Sequence, residues 1–174
     1  MTPAGHLSIS YISGRAIKSI SLSAVLIGAV LPDLDFFLIV FDWFNQAHRI
    51  ISHNLLYVTL FSIIGAIAAP AGRKKAVCIG LLTGGIMHLF VDSIMDNNPS
   101  NGVGAAIFWP FYTESVSPFN LLELQNEATW QEPLKMFRVM LPVFLYELPF
   151  YLTALYLFSK EKMKRSPITA ESRD

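Results

Sequence analysis

One helix-length run sets the terms for this chain. From Ala76 the residues stay largely apolar, and near the far end, in Gly84-Gly85-Ile86-Met87-His88-Leu89-Phe90-Val91-Asp92, an imidazole and a carboxylate stand four residues apart. That spacing puts both on one helical face. Inside an apolar segment each is costly without a partner, because no water is at hand to satisfy it. On this pair alone two readings stay open: a mutual hydrogen bond that knits two helices together, or a shared metal ion.

The rest of the chain suits a membrane. Of 174 residues, 53% are hydrophobic and 15% charged, and the apolar ones fall in runs. A single domain over residues 1–160 is expected, with a charged cytoplasmic tail over 161–174. The first thirteen residues lack a basic start, apolar core and cleavage site, so targeting is expected from retained spans. Cys78 is the only cysteine, which leaves no intrachain disulfide and no thiolate cluster. Net charge is zero, and no basic, aromatic-studded face of the kind that binds nucleic acid is visible.

Two apolar stretches, 6–12 and 20–31, are each shorter than the ~20 residues a crossing helix needs. A hairpin of two short helices fits best, with one continuous helix over 6–30 as the alternative. The hairpin brings His6 near Leu31-Pro32-Asp33-Leu34-Asp35, where Pro32 disfavours helical geometry at Leu31 and predicts a turn. Residues 36–44 suit a re-entrant or interfacial piece. His48-Arg49-Ile50-Ile51-Ser52-His53-Asn54 then leads into a helical run over 55–69 that stops at Pro70-Ala71-Gly72. Residues 96–132 read as an external loop, with Asn101-Gly102 as a turn and Phe108-Trp109-Pro110-Phe111-Tyr112 as an interfacial aromatic belt. A last apolar helix over 133–158 carries Glu147 and two candidate kinks, Pro142 and Pro149. The fold class is therefore all-α: an integral membrane helical bundle with about three to four spans and a re-entrant or short-helix N-terminal hairpin. Arg15, Lys18, Arg73, Lys74, Lys75, Lys160, Lys162, Lys164 and Arg165 fall on one side of this topology, which predicts a multi-pass inner-membrane protein with that side cytoplasmic. The polar residues Asp33, Asp35, His48, His53 and Asp92 fall toward the other.

All four histidines, His6, His48, His53 and His88, belong to that set. Each has a bland account when taken singly. His6 could be solvated or hydrogen-bonded, Asp33 and Asp35 could cap a helix, and His48 and His53, five apart, do not share a helical face. Six ionisable groups converging without chemistry is harder to explain. Imidazole and carboxylate donors without thiolate suit zinc, manganese or non-haem iron better than calcium. One or two divalent ions, zinc foremost, are expected. Such ions activate water and polarise phosphoryl oxygens. Arg49 is placed to meet a phosphate oxyanion, or else a lipid headgroup. Glu147 is a candidate ligand or base, or the partner of a tyrosine such as Tyr146 or Tyr151.

Gly5-His6, Leu31-Pro32-Asp33-Leu34-Asp35, His48-Arg49-Ile50-Ile51-Ser52-His53, His88-Leu89-Phe90-Val91-Asp92, Asn101-Gly102-Val103 and Phe108-Trp109-Pro110-Phe111 occur in this order over residues 5–111. Together they resemble the YdjM-like family of membrane-bound metal-dependent hydrolases, itself distantly similar to zinc-dependent phospholipase C and P1-type nuclease enzymes. The resemblance implies His6, Asp33, Asp35, His48, His53, His88 and Asp92 as metal ligands. Ile50, Ser52 and Asn54 depart from the Gly, Thr and Ser common in the family; Ser52 keeps a hydroxyl and Asn54 a polar group. Soluble relatives carry a His four residues before a later Glu, where this chain has Val143 before Glu147, so a full three-metal site is not expected.

The function expected is hydrolysis of a phosphoester in a lipid or lipid-linked substrate, at a site facing the extracytoplasmic side, with Asp33, Arg49 and Glu147 as catalytic candidates. The alternative is a non-enzymatic membrane protein with a structural or sensing metal. A transporter or proton relay ranks third, because 76–82 and 153–158 offer almost no polar continuation toward the cytoplasmic side. Membrane lipid is the expected partner, and the sequence leaves the oligomeric state unspecified.

Overall fold

The computed structural model describes residues 1–38, 41, 43–95, 105–116 and 133–165. Among them the chain is helical throughout apart from turns and an isolated antiparallel bridge between Ala105 and Val116. Helix α1 (Pro3–Ala16) starts at Thr2, whose side chain accepts the Gly5 N–H, with Pro3 in the first turn where its missing N–H costs nothing. A short break returns the chain through α2 (Leu22–Val30), capped by Ser21. The N-terminal segment is thus two helices and not one.

Leu31 stays in helical geometry (φ −57°, ψ −43°), contrary to the turn expected before Pro32. The chain tightens directly into a 3-10 helix, Leu31–Leu38, which carries Asp33 and Asp35. The pre-proline bias is a preference, and a tighter helix satisfies the backbone without a break. Helix α3 (Phe44–Ile51) holds His48 and Arg49, and His53 follows in the turn before α4 (Leu55–Ala68), which Asn54 caps at Tyr57 N. A 3-10 turn, Ala71–Arg73, leads into α5 (Lys74–Met95), and α6 (Pro133–Arg165) closes the described chain. Helix α6 runs through Arg165; residues 166–174, which hold the rest of the expected tail, lie outside the described residues, as do Asn101, Gly102 and Val103.

Helix α5 is the centre of the bundle, and its glycines decide how closely the neighbours approach. A Cβ at Gly84 would strike the Val25 carbonyl of α2, and one at Gly28 the Leu81 carbonyl of α5. Gly80 and Gly84 form a small-xxx-small face that lets two backbones touch, a device of membrane helices. Gly85 is turned the other way, against Val58 of α4. The Gly84-Gly85 pair therefore opens both flanks of α5 at one level. Backbone contacts fix the register: Ser21 N donates to Ala76 O at 3.3 Å near one end of α2, and Ala29 O accepts from His88 at 2.7 Å near the other. So α2 runs parallel to α5, while α4, pairing Val58 with Gly85 and Gly65 with Leu81, runs antiparallel.

Helix α1 lies along α6 in parallel, with Thr2 bonded to Glu147 at one end and Arg15 paired with Glu161 at the other. All of this brings the start of α1, the end of α2, the start of α4 and the end of α5 to one end of the bundle.

The distribution of polarity is inverted relative to a water-soluble domain. His6, His53, His88, Asp92 and Glu147 are buried, whereas Leu60, Ile63, Ile64, Ile67, Phe90, Leu145, Leu152 and Phe158 are exposed. Two stretches are long and apolar enough to cross a bilayer, Ala71–Ile94 and Leu141–Lys164. This is fewer than the three to four spans expected. Helix α4 has 14 residues, about 21 Å of rise against a hydrocarbon core of about 30 Å, and the hairpin helices are no longer.

Gly84→Ala is expected to destabilise the protein by about 1–3 kcal/mol through overpacking against α2. The readout is the melting temperature in detergent. Gly72→Ala, whose Cβ meets nothing within 4 Å, should leave that temperature unchanged.

Candidate metal centre

The converging helix ends place seven of the predicted side chains in one cluster: His6, Asp33, His48, Arg49, His53, His88 and Asp92. Asp92 lies at the middle. Its Oδ1 is 3.0 Å from His6 Nε2 and 3.1 Å from the Met1 nitrogen. Its Oδ2 is 3.3 Å from Arg49 Nη1, 3.3 Å from His53 Nε2 and 3.4 Å from His88 Nε2. Asp33 faces it across the imidazoles, with Oδ1 at 3.5 Å from His53 Nε2, 3.6 Å from His88 Nε2 and 3.7 Å from His48 Nε2.

Three of the rings are oriented from behind. His88 Nδ1 is 2.7 Å from Ala29 O, an acceptor only, so Nδ1 carries the proton. His48 Nδ1 is 2.7 Å from Asp35 Oδ1 and donates to it in the same way. His53 Nδ1 lies 2.9 Å from Ser52 Oγ and 3.2 Å from His48 O; with Ser52 Oγ donating to Asp35 Oδ2 at 2.9 Å, the His53 Nδ1–H has acceptors on its own side. Asp35 therefore stands behind the cluster, holding His48 directly and His53 through the Ser52 hydroxyl. This is the arrangement by which carboxylates and carbonyls fix the tautomer of ligating imidazoles.

The consequence falls on the other ring nitrogens. His53 Nε2 and His88 Nε2 are 3.2 Å apart. With both Nδ1 atoms protonated, each Nε2 presents a lone pair to the other and to two carboxylates. Such a pair is held together only by a proton or a cation between them. Burial alone pushes His53 toward the neutral form, but its hydrogen bonds to Asp33 and Asp92 hold its pKa above the ordinary 6.5, so a proton can fill that place. Burial raises the Asp33 carboxyl, and the His53 hydrogen bond with the nearby His88 more than reverses this, leaving it below the usual range. His48 is held below 6.5 by burial, which outweighs the Asp35 bond.

Two sets of three could grip an ion: His6, His88 and Asp92, all buried, and Asp33, His53 and His88. Asp33 and Asp35, with side chains 11% and 18% exposed, are where the cluster reaches the surface. Arg49 is buried and faces Asp92. Glu147 is not with the imidazoles: its carboxylate accepts from Thr2 N, Thr2 Oγ and Tyr151. The tyrosine alternative thus describes one of its partners, and Thr2 was not foreseen. The aromatic segment is tied beside the cluster, with Ala106 N donating to Arg49 O at 3.4 Å and Leu55 N to Ile107 O at 2.9 Å. Phe111 is 93% exposed there.

Fold and cluster together define a helical membrane protein with a buried imidazole and carboxylate centre at one end of its bundle. More particularly, the chain belongs to the YdjM inner membrane protein family, whose profile matches residues 1–162 and so takes in every residue of the cluster. No curated protein and no solved structure gives a significant match.

Asp35→Ala removes the acceptor behind two rings. It is expected to cost about 1–3 kcal/mol of thermal stability and to move the ring-nitrogen NMR signals of His48 and His53. His88 Nδ1, held by the Ala29 carbonyl, should keep its signal.

Proposed function

We propose that the chain is a membrane-bound metal-dependent hydrolase acting on a phosphoester of a lipid or lipid-linked substrate. It would sit in the inner membrane as a multi-pass protein, with Arg15, Lys18, Arg73–Lys75 and the α6 lysines cytoplasmic and the cluster extracytoplasmic. The observation that carries this is the 3.2 Å approach of His53 Nε2 to His88 Nε2 between Asp33 and Asp92. Nitrogen and oxygen donors with no sulfur fit zinc, and manganese or iron less well.

The donor set also bears on the count. His88 has one lone pair to give, since its Nδ1–H is committed to Ala29 O. The two sets that share His88 therefore hold one ion between them.

A divalent ion bound there supplies a Lewis acid for the phosphoryl oxygens and lowers the pKa of water. The protein's own part is to fix the donors through Asp35, Ser52 and the Ala29 carbonyl. Asp33, partly exposed, is the member that meets entering water and substrate. Arg49 orients Asp92 and lends positive charge toward the phosphate. A site at headgroup depth meets lipid phosphates first, and the exposed Phe108, Phe111 and Tyr112 suit an interfacial position beside it.

The second reading, a structural or sensing metal without catalysis, is favoured by the burial of His6, His53, His88 and Asp92, since closed coordination is the mark of structural sites.

Purified protein is expected to retain one zinc per chain by elemental analysis. His88→Ala should abolish retention and Asp92→Ala reduce it strongly. Hydrolysis of phospholipid vesicles or a chromogenic phosphodiester should fall at least ~100-fold in both variants. Unchanged metal content in His88→Ala would refute the centre; full metal content with no turnover of any phosphoester would favour the structural reading. Because His53 must shed its proton to ligate, and its pKa is held above 6.5, zinc affinity should keep rising as the pH passes upward through and beyond 6.5.

A further inference from the structure

Glu147 is a buried carboxylate in a helix that is otherwise turned outward. Across residues 141–164 every other residue is half-buried or exposed, yet Glu147 itself is 0% exposed. A carboxylate at such a place is costly unless its oxygens are fully engaged. Among the described residues its partners come from two sources. Thr2 gives its backbone N–H at 2.7 Å and its hydroxyl at 2.5 Å, and Tyr151, one turn along α6, gives its phenol O–H.

Thr2 is also the cap of α1. Its Oγ accepts the Gly5 N–H at 3.1 Å, and its carbonyl accepts the His6 N–H at 3.1 Å. The hydroxyl is thus spent in both directions, as donor to Glu147 and acceptor from Gly5. Gly5 makes room for this: a Cβ there would lie 2.7 Å from Glu147 Cδ and Oε2.

The first turn of α1 carries His6, and His6 differs from the other three histidines. Their Nδ1 atoms are held by Ala29 O, Asp35 or the Ser52 and His48 pair, whereas neither nitrogen of His6 has a hydrogen bond among the described residues. Its Nε2 stands 3.0 Å from Asp92 Oδ1 without hydrogen-bonding geometry, and its ring stacks on His88 with centroids 3.8 Å apart. Among the described residues no hydrogen bond behind the ring sets its direction. Its place is set by the backbone of the turn that bears it.

We infer that Glu147 is a positioning residue: through Thr2 it locks the first turn of α1 onto α6 and so presents the His6 imidazole to His88 and Asp92. Helix α6 thereby completes the buried ligand set without contributing a ligand. The metal part of this inference rests on the proposed hydrolase centre; the positioning part does not.

The test uses full-length protein in detergent, with cobalt(II) as the probe ion and ring-nitrogen NMR of the metal-free protein as a second readout. Glu147→Ala is expected to weaken cobalt binding ~10–100-fold and to shift the visible spectrum toward that of His6→Ala. The double variant should bind no more weakly than His6→Ala alone, because both changes act on one ligand. In the metal-free protein, the His6 ring signals should move in Glu147→Ala while those of His48 stay. Glu147→Gln, which keeps an acceptor for the Thr2 N–H, should restore most of the affinity. Thr2→Val, which removes the hydroxyl alone, should act in the same direction as Glu147→Ala and serves if that variant does not fold. Wild-type His6 signals and a wild-type cobalt spectrum in Glu147→Ala would overturn the inference, as would additive losses in the double variant. If the wild type binds no cobalt, the metal centre fails and the His6 ring signals still decide the positioning role.

Discussion

Two imidazole nitrogens facing each other between two carboxylates, at one end of a helical bundle, form the constraint from which the rest follows. Left to themselves these groups repel pairwise or strand their lone pairs, and burial magnifies either cost. The structure nonetheless devotes several elements to holding them there. The Ala29 carbonyl, Asp35 and Ser52 each take an imidazole proton on the far side of a ring, which leaves the near side bare. A site assembled in this way specifies a positive charge at its centre. A proton on His53 can satisfy it, and a divalent ion, as proposed above, would accept several lone pairs at once.

Such an arrangement demands a rigid frame, and small residues supply it. Because Gly84 and Gly85 face opposite neighbours, α2 and α4 both approach α5 closely at the level just below His88. The Ala29 carbonyl can reach His88 only because α2 lies against the Gly80 and Gly84 face. Side-chain chemistry at the centre thus depends on backbone packing a turn away. The apolar side chains displaced from the interior are exposed on the outside, where lipid accepts them as readily as a protein core would.

Much of the centre was legible in the sequence, for a physical reason. Ionisable residues inside an apolar stretch are costly without partners, which marked His88 and Asp92, while the side of the topology and the family resemblance placed His53 and Asp33 with them. The i, i+4 spacing of His88 and Asp92 and the five-residue gap from His48 to His53 also fixed which ones share a helix: His48 is on α3 and His53 in the turn after it. What could not be read were partners without a side-chain signature, such as the Ala29 carbonyl, or partners far away in the chain, such as Thr2 for Glu147. The small-xxx-small spacing of Gly80 and Gly84 is the sequence signal for the close approach of α2. Span number was overestimated because apolar composition does not distinguish a helix that crosses a bilayer from one, like α4, that is too short and lines the bundle beside it.

The central claim is that this cluster exists to hold a cation through nitrogen and oxygen donors. X-ray absorption at the zinc edge, on protein purified from zinc-replete cells, tests it most directly. The account predicts a single shell of nitrogen and oxygen scatterers at about 2.0–2.1 Å with the multiple-scattering signature of imidazole. A sulfur shell near ~2.3 Å, which would implicate Cys78, or protein that carries no zinc at all, would contradict it.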